Sequence, residues 1–284
     1  MTTRRTVAAL ALVWLSVVLE AGSAAQSPQR IISLVPALTE MLFTIGAGPQ
    51  VVAVSSYDED PPQVKLLPRV GALLDPDVER ILSLKPDLVI TYGSQMDLHA
   101  QLARAGIPMF DYRHGGLAAI ADTLRALGVR TGHPREADTA ARDIEARLAA
   151  IRTRTAGSPR PRTLLVFGRE RGALRNIYAS GGRGFLHDML EAAGGANIFA
   201  DIDRESVQAT TELILARAPE VILEVRSTDI LSREEAEREA ASWRPLASVP
   251  AVRQHRVVVL TGKGLTVPGP RVAEVVARMA DALQ

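Results

Sequence analysis

The segment VERILSLKPDLVI, residues 78–90, has the pattern of a short helix followed by a buried strand, and it decides the fold because the chain repeats it. The second copy is TELILARAPEVIL, residues 211–223. The copies align without a gap at a constant spacing of 133 residues, so Glu79 corresponds to Glu212. This spacing predicts two related halves, each with a glutamate at the same point of its first helical turn.

Strand-like and helix-like segments alternate on both sides of one long helical segment. Short apolar runs typical of buried strands alternate with segments of helical apolar spacing, which favours helix-covered, mainly parallel sheets. Residues 134–156 begin with a proline, have no internal glycine and stop at Gly157. At about 1.5 Å per residue, this helix would be roughly 35 Å long.

We therefore predict an α/β fold of two pseudo-symmetric, Rossmann-like lobes joined by one long helix. The predicted N-terminal lobe is 30–130, the linking helix is 134–156 and the C-terminal lobe is 160–284. The alternative is one continuous domain with a long surface helix.

Composition is that of a globular protein. The chain has 284 residues, 47% hydrophobic and 23% charged, with a net charge of +1. This length is sufficient for two lobes with separate cores. Basic and acidic residues are interspersed, so we expect no nucleic-acid partner.

The N-terminus has the pattern of a secretory signal. Arg4 and Arg5 precede an apolar run at 7–19, and small residues follow up to Ala25. About 13 apolar residues are too few for a membrane anchor, which needs roughly 20. We predict that residues 1–25 form a cleaved signal peptide.

The absence of cysteine limits the covalent and metal-binding chemistry that the side chains can provide. It excludes disulfides, thiolate metal sites and the cysteine that a lipid anchor needs. The expected product is a soluble monomer in an exported compartment, most simply a periplasm.

Several segments together carry a family resemblance: RIISLVPALTEMLFTIGAG (30–48), VVAVSSYDEDPP (51–62), LPRVGALLDPDVERILSLKPDLVITY (67–92) and MLEAAGGANIF (189–199). They resemble the substrate-binding proteins of ABC importers, in the class with a single long interlobe helix that carries cobalamin, haem or ferric siderophores. The cobalamin-binding branch is most similar. The resemblance implies a non-enzymatic protein without a cofactor, whose ligand is a corrinoid, or alternatively haem or a ferric siderophore, bound between the lobes.

The resemblance also implies a role for the repeated glutamates. In this family, each lobe presents a glutamate that docks onto arginines of the two membrane-spanning permease subunits, and the matching positions are Glu79 and Glu212. Two like charges at a fixed separation suit a twofold-symmetric, positively charged partner. The alternative is that both are ordinary acidic residues that favour the helix macrodipole.

In the first lobe, the resemblance places Tyr57 and Tyr92 in the cleft, where aromatic rings can stack on a macrocycle or a phenolate can ligate ferric iron. Packing of each tyrosine on its own lobe is the alternative. Leu73 and Ser206 stand where cobalamin-binding relatives have large aromatics. Each stacking partner is worth about 0.5–1.5 kcal/mol beyond its burial, so their loss weakens the cobalamin assignment.

The second lobe contains the basic segment FGRERGALRNIY, residues 167–178. Clustered guanidinium groups favour an anionic group such as a propionate, phosphate or metal-bound carboxylate. The alternative is an exposed basic loop that Glu170 partly neutralises. The predicted ligand-binding residues of this lobe, besides Ser206, are aromatic or basic: Phe167, Arg169, Arg171, Arg175, Tyr178, Arg226 and Arg271.

Motifs of metal sites and enzymes are absent from the sequence. The five histidines form no HxH or HxxxH pair, so no protein-bound metal is predicted. His114 is a candidate axial haem ligand or a solvated loop histidine. Neither a GxSxG elbow nor a phosphate loop is present, which leaves an exported α/β enzyme as the weaker alternative.

Overall fold

A computed structural model describes residues 27–227 and 230–284. The predicted signal peptide, residues 1–25, lies outside these ranges. Within them, no helix is both long enough and apolar enough to cross a membrane.

The first sheet contains four parallel strands in the order β2-β1-β3-β4. The strands are β1 Ile31–Ser33, β2 Val51–Val54, β3 Leu88–Tyr92 and β4 Met109–Tyr112. Buried apolar residues dominate β1, β2 and β3 because helices cover both faces of a parallel sheet.

The second sheet has six strands, with β10-β9-β5-β6-β8 in order and β7 paired to β5. The strands are β5 Arg162–Gly168, β6 Ile177–Ser180, β7 Ala196–Asn197, β8 Ser206–Ala209, β9 Val221–Arg226 and β10 Val257–Thr261. The pairings β5–β6 and β6–β8 are antiparallel, and the others are parallel. The strands β6 and β8 have only four residues each.

Ten helices complete the part of the chain that the structure describes. They are α1 Pro36–Thr44, α2 Val78–Ser83, α3 Met96–Arg104, α4 Ala119–Thr131, α5 Pro134–Thr155, α6 Phe185–Ala192, α7 Thr211–Arg217, α8 Arg233–Ala241, α9 Pro250–Arg253 and α10 Val272–Leu283. The 22-residue α5 stands between the strands of the two sheets in chain order. Proline fits its first turn because the amide N–H groups there have no intrahelical acceptor.

The repeated segments adopt the same local structure, α2–β3 and α7–β9. The side chains of Asp77 and Thr210 cap α2 and α7, each accepting a hydrogen bond from the backbone N–H three residues on. Lys85 and Ala218, which follow the two helices at the 133-residue spacing, both have left-handed backbone conformations, with φ of 48° and 45°. The repeat therefore extends to the details of helix initiation and termination.

A second pair of contacts also repeats. The carboxylate of Asp87 accepts a hydrogen bond from the backbone N–H of Arg30, and that of Glu220 accepts one from the N–H of Arg162. Both arginine side chains then donate to carbonyl oxygens at the end of α2 or α7. In each lobe, these bonds attach the end of the helix to the neighbouring strand.

The largest hydrophobic core spans both lobes. It contains Ile144 and Leu148 of α5, Leu124 of α4, and Met279 of α10. The expectation of separate cores is therefore wrong for this cluster, because the buried face of α5 contacts helices of both lobes. Such shared packing restricts how far the lobes can rotate apart.

Candidate functional site

The first-lobe face of the site lies where β1, β2 and β3 end. A cavity of about 570 Å³ is lined by Tyr57, Leu73, Leu74 and Tyr92, among others. Tyr57 is 75% exposed and Leu74 is 93% exposed. Ligands bind outside the carboxyl ends of parallel strands, and a clustered apolar surface of this kind marks a binding site.

The loops that carry these side chains are held by polar contacts. The carboxylate of Asp58 accepts hydrogen bonds from the backbone N–H and the hydroxyl of Ser55, at 2.9 and 2.6 Å. The Gln95 amide donates to the carbonyl of Leu73 at 3.1 Å. Gly71 has φ of 80°, and a Cβ there would lie 2.2 Å from the carbonyl oxygen of Asp75, so only glycine fits this turn.

Asp58 predicts a pH dependence of stability. It is 2% exposed, and burial raises its pKa above the ordinary 3.8. Since the folded-state pKa is higher, the stabilisation from Asp58 is complete below pH 3.8 and is lost as the pH rises through the folded-state value. We expect the free energy of unfolding of the wild type, minus that of Asp58→Asn, to be larger at about pH 4 than at about pH 7. Urea unfolding at both pH values measures it, and equal differences would contradict this account.

A row of rings crosses from the first lobe to the second. Ring centroids of Tyr92 and Tyr112 are 6.1 Å apart, those of Tyr112 and His114 are 6.3 Å apart, and those of His114 and Phe185 are 6.0 Å apart. The Tyr112 hydroxyl lies 3.2 Å from Nδ1 of His114. Burial raises the pKa of Tyr112 to about 12 and also raises the pKa of Tyr92, so both phenols are neutral at pH 7.

The second-lobe face lies opposite His114. A cavity of about 370 Å³ is lined by His114 and by second-lobe residues that include Phe167, Arg183, Phe185 and Ser206. This cavity therefore lies between the lobes and places an aromatic surface beside charged and hydroxyl groups. Tyr178 is half-exposed next to Phe167, with ring centroids 6.4 Å apart.

The structure gives Arg169 and Arg226 a different place from the predicted one. Every N–H group of Arg169 has an acceptor, and its partners include Glu224 at 2.9 Å and Glu239 at 2.8 Å. Arg226 bonds the same two carboxylates, and the Trp243 indole donates to Glu224. The Arg169 side chain is 0% exposed. These two arginines belong to the interior of the second lobe, so we remove them from the ligand-binding set.

Two other basic side chains lie at the surface of the same loop. Arg175 pairs with Glu170 at 2.9 Å, and its side chain is 75% exposed. Arg171 is also exposed. Because a surface pair contributes little to stability, Arg175 can exchange Glu170 for an anionic ligand group at small cost.

Arg271 connects the lobes. Its guanidinium binds both carboxylate oxygens of Glu40 in α1, at 3.0 and 2.8 Å. Burial raises the pKa of Glu40, and the hydrogen bond from Arg271 opposes that shift. Lys263 pairs with Glu59 at 2.6 Å and makes a second interlobe contact. Arg271 therefore joins the two lobes, and it also lines a cavity of about 380 Å³ together with Glu40, Asp60 and Pro270.

Glu79 and Glu212 occupy the second residue of α2 and of α7 and are exposed. Neither carboxylate forms an ion pair with a described residue. Hydrogen bonds from its own backbone N–H and from Thr210 lower the pKa of Glu212. Both groups are therefore available to a cationic partner.

Sequence reasoning missed Leu74, Arg183 and Phe185 as single residues. Leu74 follows the predicted position Leu73 directly, but only the structure shows that its side chain is exposed. Phe185 directly follows the glycine-rich turn 181–184, and an aromatic residue at the start of a helix near a strand end was the available signal. Among the described residues, no group of three or more metal-ligating side chains lies together.

A cleft between two α/β lobes, with unfilled apolar surface at strand ends, defines a binding protein. The chain belongs to the periplasmic binding protein family, whose sequence signature matches residues 31–263.

Individual relatives are informative about ligands. The vitamin B12-binding protein of Yersinia pestis (strain Pestoides F) is 34% identical over 230 residues, which cover 80% of this chain and 79% of the relative. The crystal structure of the periplasmic vitamin B12 binding protein BtuF of Vibrio cholerae matches with a TM-score of 0.76 and 30% identity, over 90% of this chain and 97% of that one. The apo form of the periplasmic haem-binding protein RhuT from Roseiflexus sp. RS-1 matches with a TM-score of 0.73 and 28% identity, over 90% and 99%.

Proposed function

We propose that this chain is the soluble, monomeric binding protein of an ABC importer and that it carries a large, metal-containing small molecule across the periplasm. A cobalamin-like corrinoid is the first candidate. The observation that carries the proposal is the apolar surface of Tyr57, Leu73 and Leu74 around the first-lobe cavity. These side chains are exposed, as expected of groups that a ligand covers. Residues 1–25 would direct export and then be removed.

The two faces of the cleft suit a ligand with different sides. The first-lobe face is apolar and aromatic, whereas the second-lobe face combines Phe167 with Arg183, Glu205 and Ser206. A corrinoid or a haem has a broad apolar ring and polar substituents at its edge. Leu73 stands where cobalamin-binding relatives have an aromatic residue. Together with Leu74, it would supply apolar contact to the ligand there.

Haem is the second candidate, and His114 favours it. The imidazole borders the interlobe cavity, and one ring nitrogen is hydrogen-bonded to Tyr112. A hydrogen bond at one nitrogen fixes the orientation of a histidine whose other nitrogen binds a metal. Under this alternative, the neutral phenol of Tyr92 would stack on or hydrogen-bond to the ligand, and Tyr112 would orient His114.

The test is a calorimetric and spectroscopic titration of residues 26–284 with cyanocobalamin, hemin and a set of ferric siderophores. We expect 1:1 binding of cyanocobalamin. A hemin absorbance change that disappears in His114→Ala would identify haem as the ligand in place of a corrinoid. No binding of any of these compounds would refute the ligand assignment.

Tyr57 provides a sharper test of the cleft. Because Tyr57 is 75% exposed in the free protein, Tyr57→Ala should leave the melting temperature unchanged. Loss of its buried area and stacking should weaken cyanocobalamin binding about 30-fold. Tyr57→Phe keeps the ring and is expected to bind almost as tightly. Val129→Ala, which removes exposed apolar surface from α4, is the control. Unchanged affinity in Tyr57→Ala would place the ligand elsewhere.

Docking on the permease completes the proposal. Glu79 and Glu212 are exposed, occupy equivalent positions and form no ion pair with a residue that the structure describes, which supports a role in contacting two equivalent basic sites. The membrane-spanning subunits of an importer, as a twofold-symmetric pair, would provide such sites. Each glutamate then binds one subunit.

A further inference from the structure

Each of the two helices with a docking glutamate also carries an exposed leucine. Leu82 of α2 is 38% exposed, and Leu215 of α7 is 42% exposed. Each leucine lies three residues after its glutamate, so the two side chains of each pair share one helix face. The tips of the two lobes, defined as Glu79 with Leu82 and Glu212 with Leu215, thus present the same carboxylate and the same apolar group.

The fold alone does not require this match. Among the residues of α2, the only ones repeated identically in α7 are Glu79, Ile81 and Leu82. Ile81 and its counterpart Ile214 are both 0% exposed, so packing in the core explains that identity. Leu82 and Leu215 are 38% and 42% exposed, so packing in the core accounts for only part of their identity.

No other exposed apolar pair shows the same relation in the described part of the chain. Ten large hydrophobic residues are exposed there, and only Leu82 and Leu215 are separated by the spacing of the repeat. A single exposed leucine is ordinary. Exposure at the same point of both copies indicates a common contact.

We infer that Leu82 and Leu215 are part of the docking surface and that its occupant is the pair of membrane-spanning subunits, one lobe tip on each subunit. This inference rests on the proposed function. Two equivalent tips on one chain fit a partner with two equivalent surfaces, whereas a partner with one surface would need only one tip. A second copy of this chain is disfavoured, because it would bring the carboxylates of Glu79 and Glu212 towards each other.

The two kinds of side chain contribute differently to such an interface. Carboxylates opposite basic residues set orientation and association rate, and salt screens them. Burial of a leucine contributes affinity that depends little on salt. The surface therefore predicts that each permease subunit offers a basic residue beside an apolar contact.

The experiment measures binding of the full mature chain to the importer's permease complex from the same organism, reconstituted in nanodiscs. Leu82→Ala and Leu215→Ala should each weaken binding about 5- to 10-fold, and the double variant on the order of 50-fold. These losses should be the same at low and at high salt. The loss in Glu79→Ala/Glu212→Ala should be largest at low salt. Cyanocobalamin affinity should not change in any of these variants.

Val129→Ala is the matched control, because Val129 is 74% exposed and lies in α4, outside both copies of the repeat. Wild-type binding by Leu82→Ala/Leu215→Ala, with binding still lost in the glutamate variant, would overturn the role of the leucines and keep the proposed function. Failure of the wild type to bind the permease would contradict the proposed function itself. An equal loss in Val129→Ala would overturn the inference, since the effect would then not be specific to the tips.

Discussion

Glu79→Ala combined with Glu212→Ala is expected to abolish delivery of ligand to the importer and to leave ligand affinity intact. Both carboxylates are exposed and form no ion pair with a described residue, so their removal leaves the fold without an unpaired charge. If these glutamates dock on the permease as proposed, each loss would leave a basic group of the permease without its partner in the complex. Truncating one member of such a pair costs about 2–5 kcal/mol, which corresponds to a 30-fold or greater loss for each glutamate.

The measurement is ligand uptake by vesicles that contain the permease, with calorimetric ligand affinity measured in parallel. Glu136→Ala/Glu234→Ala is the matched control, since these glutamates are also exposed in the first turn of a helix, in α5 and α8. The control should transport as the wild type does. If the tip variant also lost ligand affinity, the assignment of these glutamates to docking would be wrong.

Arg169→Ala should destabilise the second lobe strongly. The side chain is fully buried, and its loss leaves Glu224 and Glu239 with Arg226 as their only remaining basic partner among these groups. Removing one member of a buried ion network costs about 3–5 kcal/mol because the remaining charges are uncompensated. For a chain of this size, we expect the melting temperature to fall by roughly 10 °C, measured by circular dichroism.

Arg175→Ala is the control for this prediction. Its ion pair with Glu170 is exposed, so the expected loss of stability is below about 1 kcal/mol. The ligand affinity of the folded protein distinguishes the two accounts of Arg169. Unchanged affinity with a large loss of stability supports its interior role. Weaker ligand binding at an unchanged melting temperature would show instead that Arg169 contacts the ligand, as the sequence had suggested.

The repeated helix–strand unit could be predicted from the sequence because it depends on local patterns. Helix capping and the apolar spacing of Ile81 and Ile214 act within a few residues of one another. The position of Tyr57 in the cleft could also be predicted, because its segment resembles a family in which that loop reaches the cleft.

The burial and the ion-pair partners of Arg169 could not be predicted from the sequence. Its neighbours in sequence are basic and acidic, which suggested an exposed cluster, yet its decisive partners Glu224 and Glu239 are more than fifty residues away. The same holds for Arg271, whose partner Glu40 lies in the other lobe. Whether an arginine meets a ligand or a carboxylate depends on which strands become neighbours.

The sequence by itself determined the two-part α/β fold, the long helix and the equivalence of Glu79 with Glu212, because periodicity, capping and repetition are properties of short segments. Only the tertiary structure decided which side chains line the cleft, how α5 joins the two cores, and that Leu82 and Leu215 both remain exposed. Burial and ion pairing depend on groups far apart in the chain, and their positions are set when the sheets and helices pack.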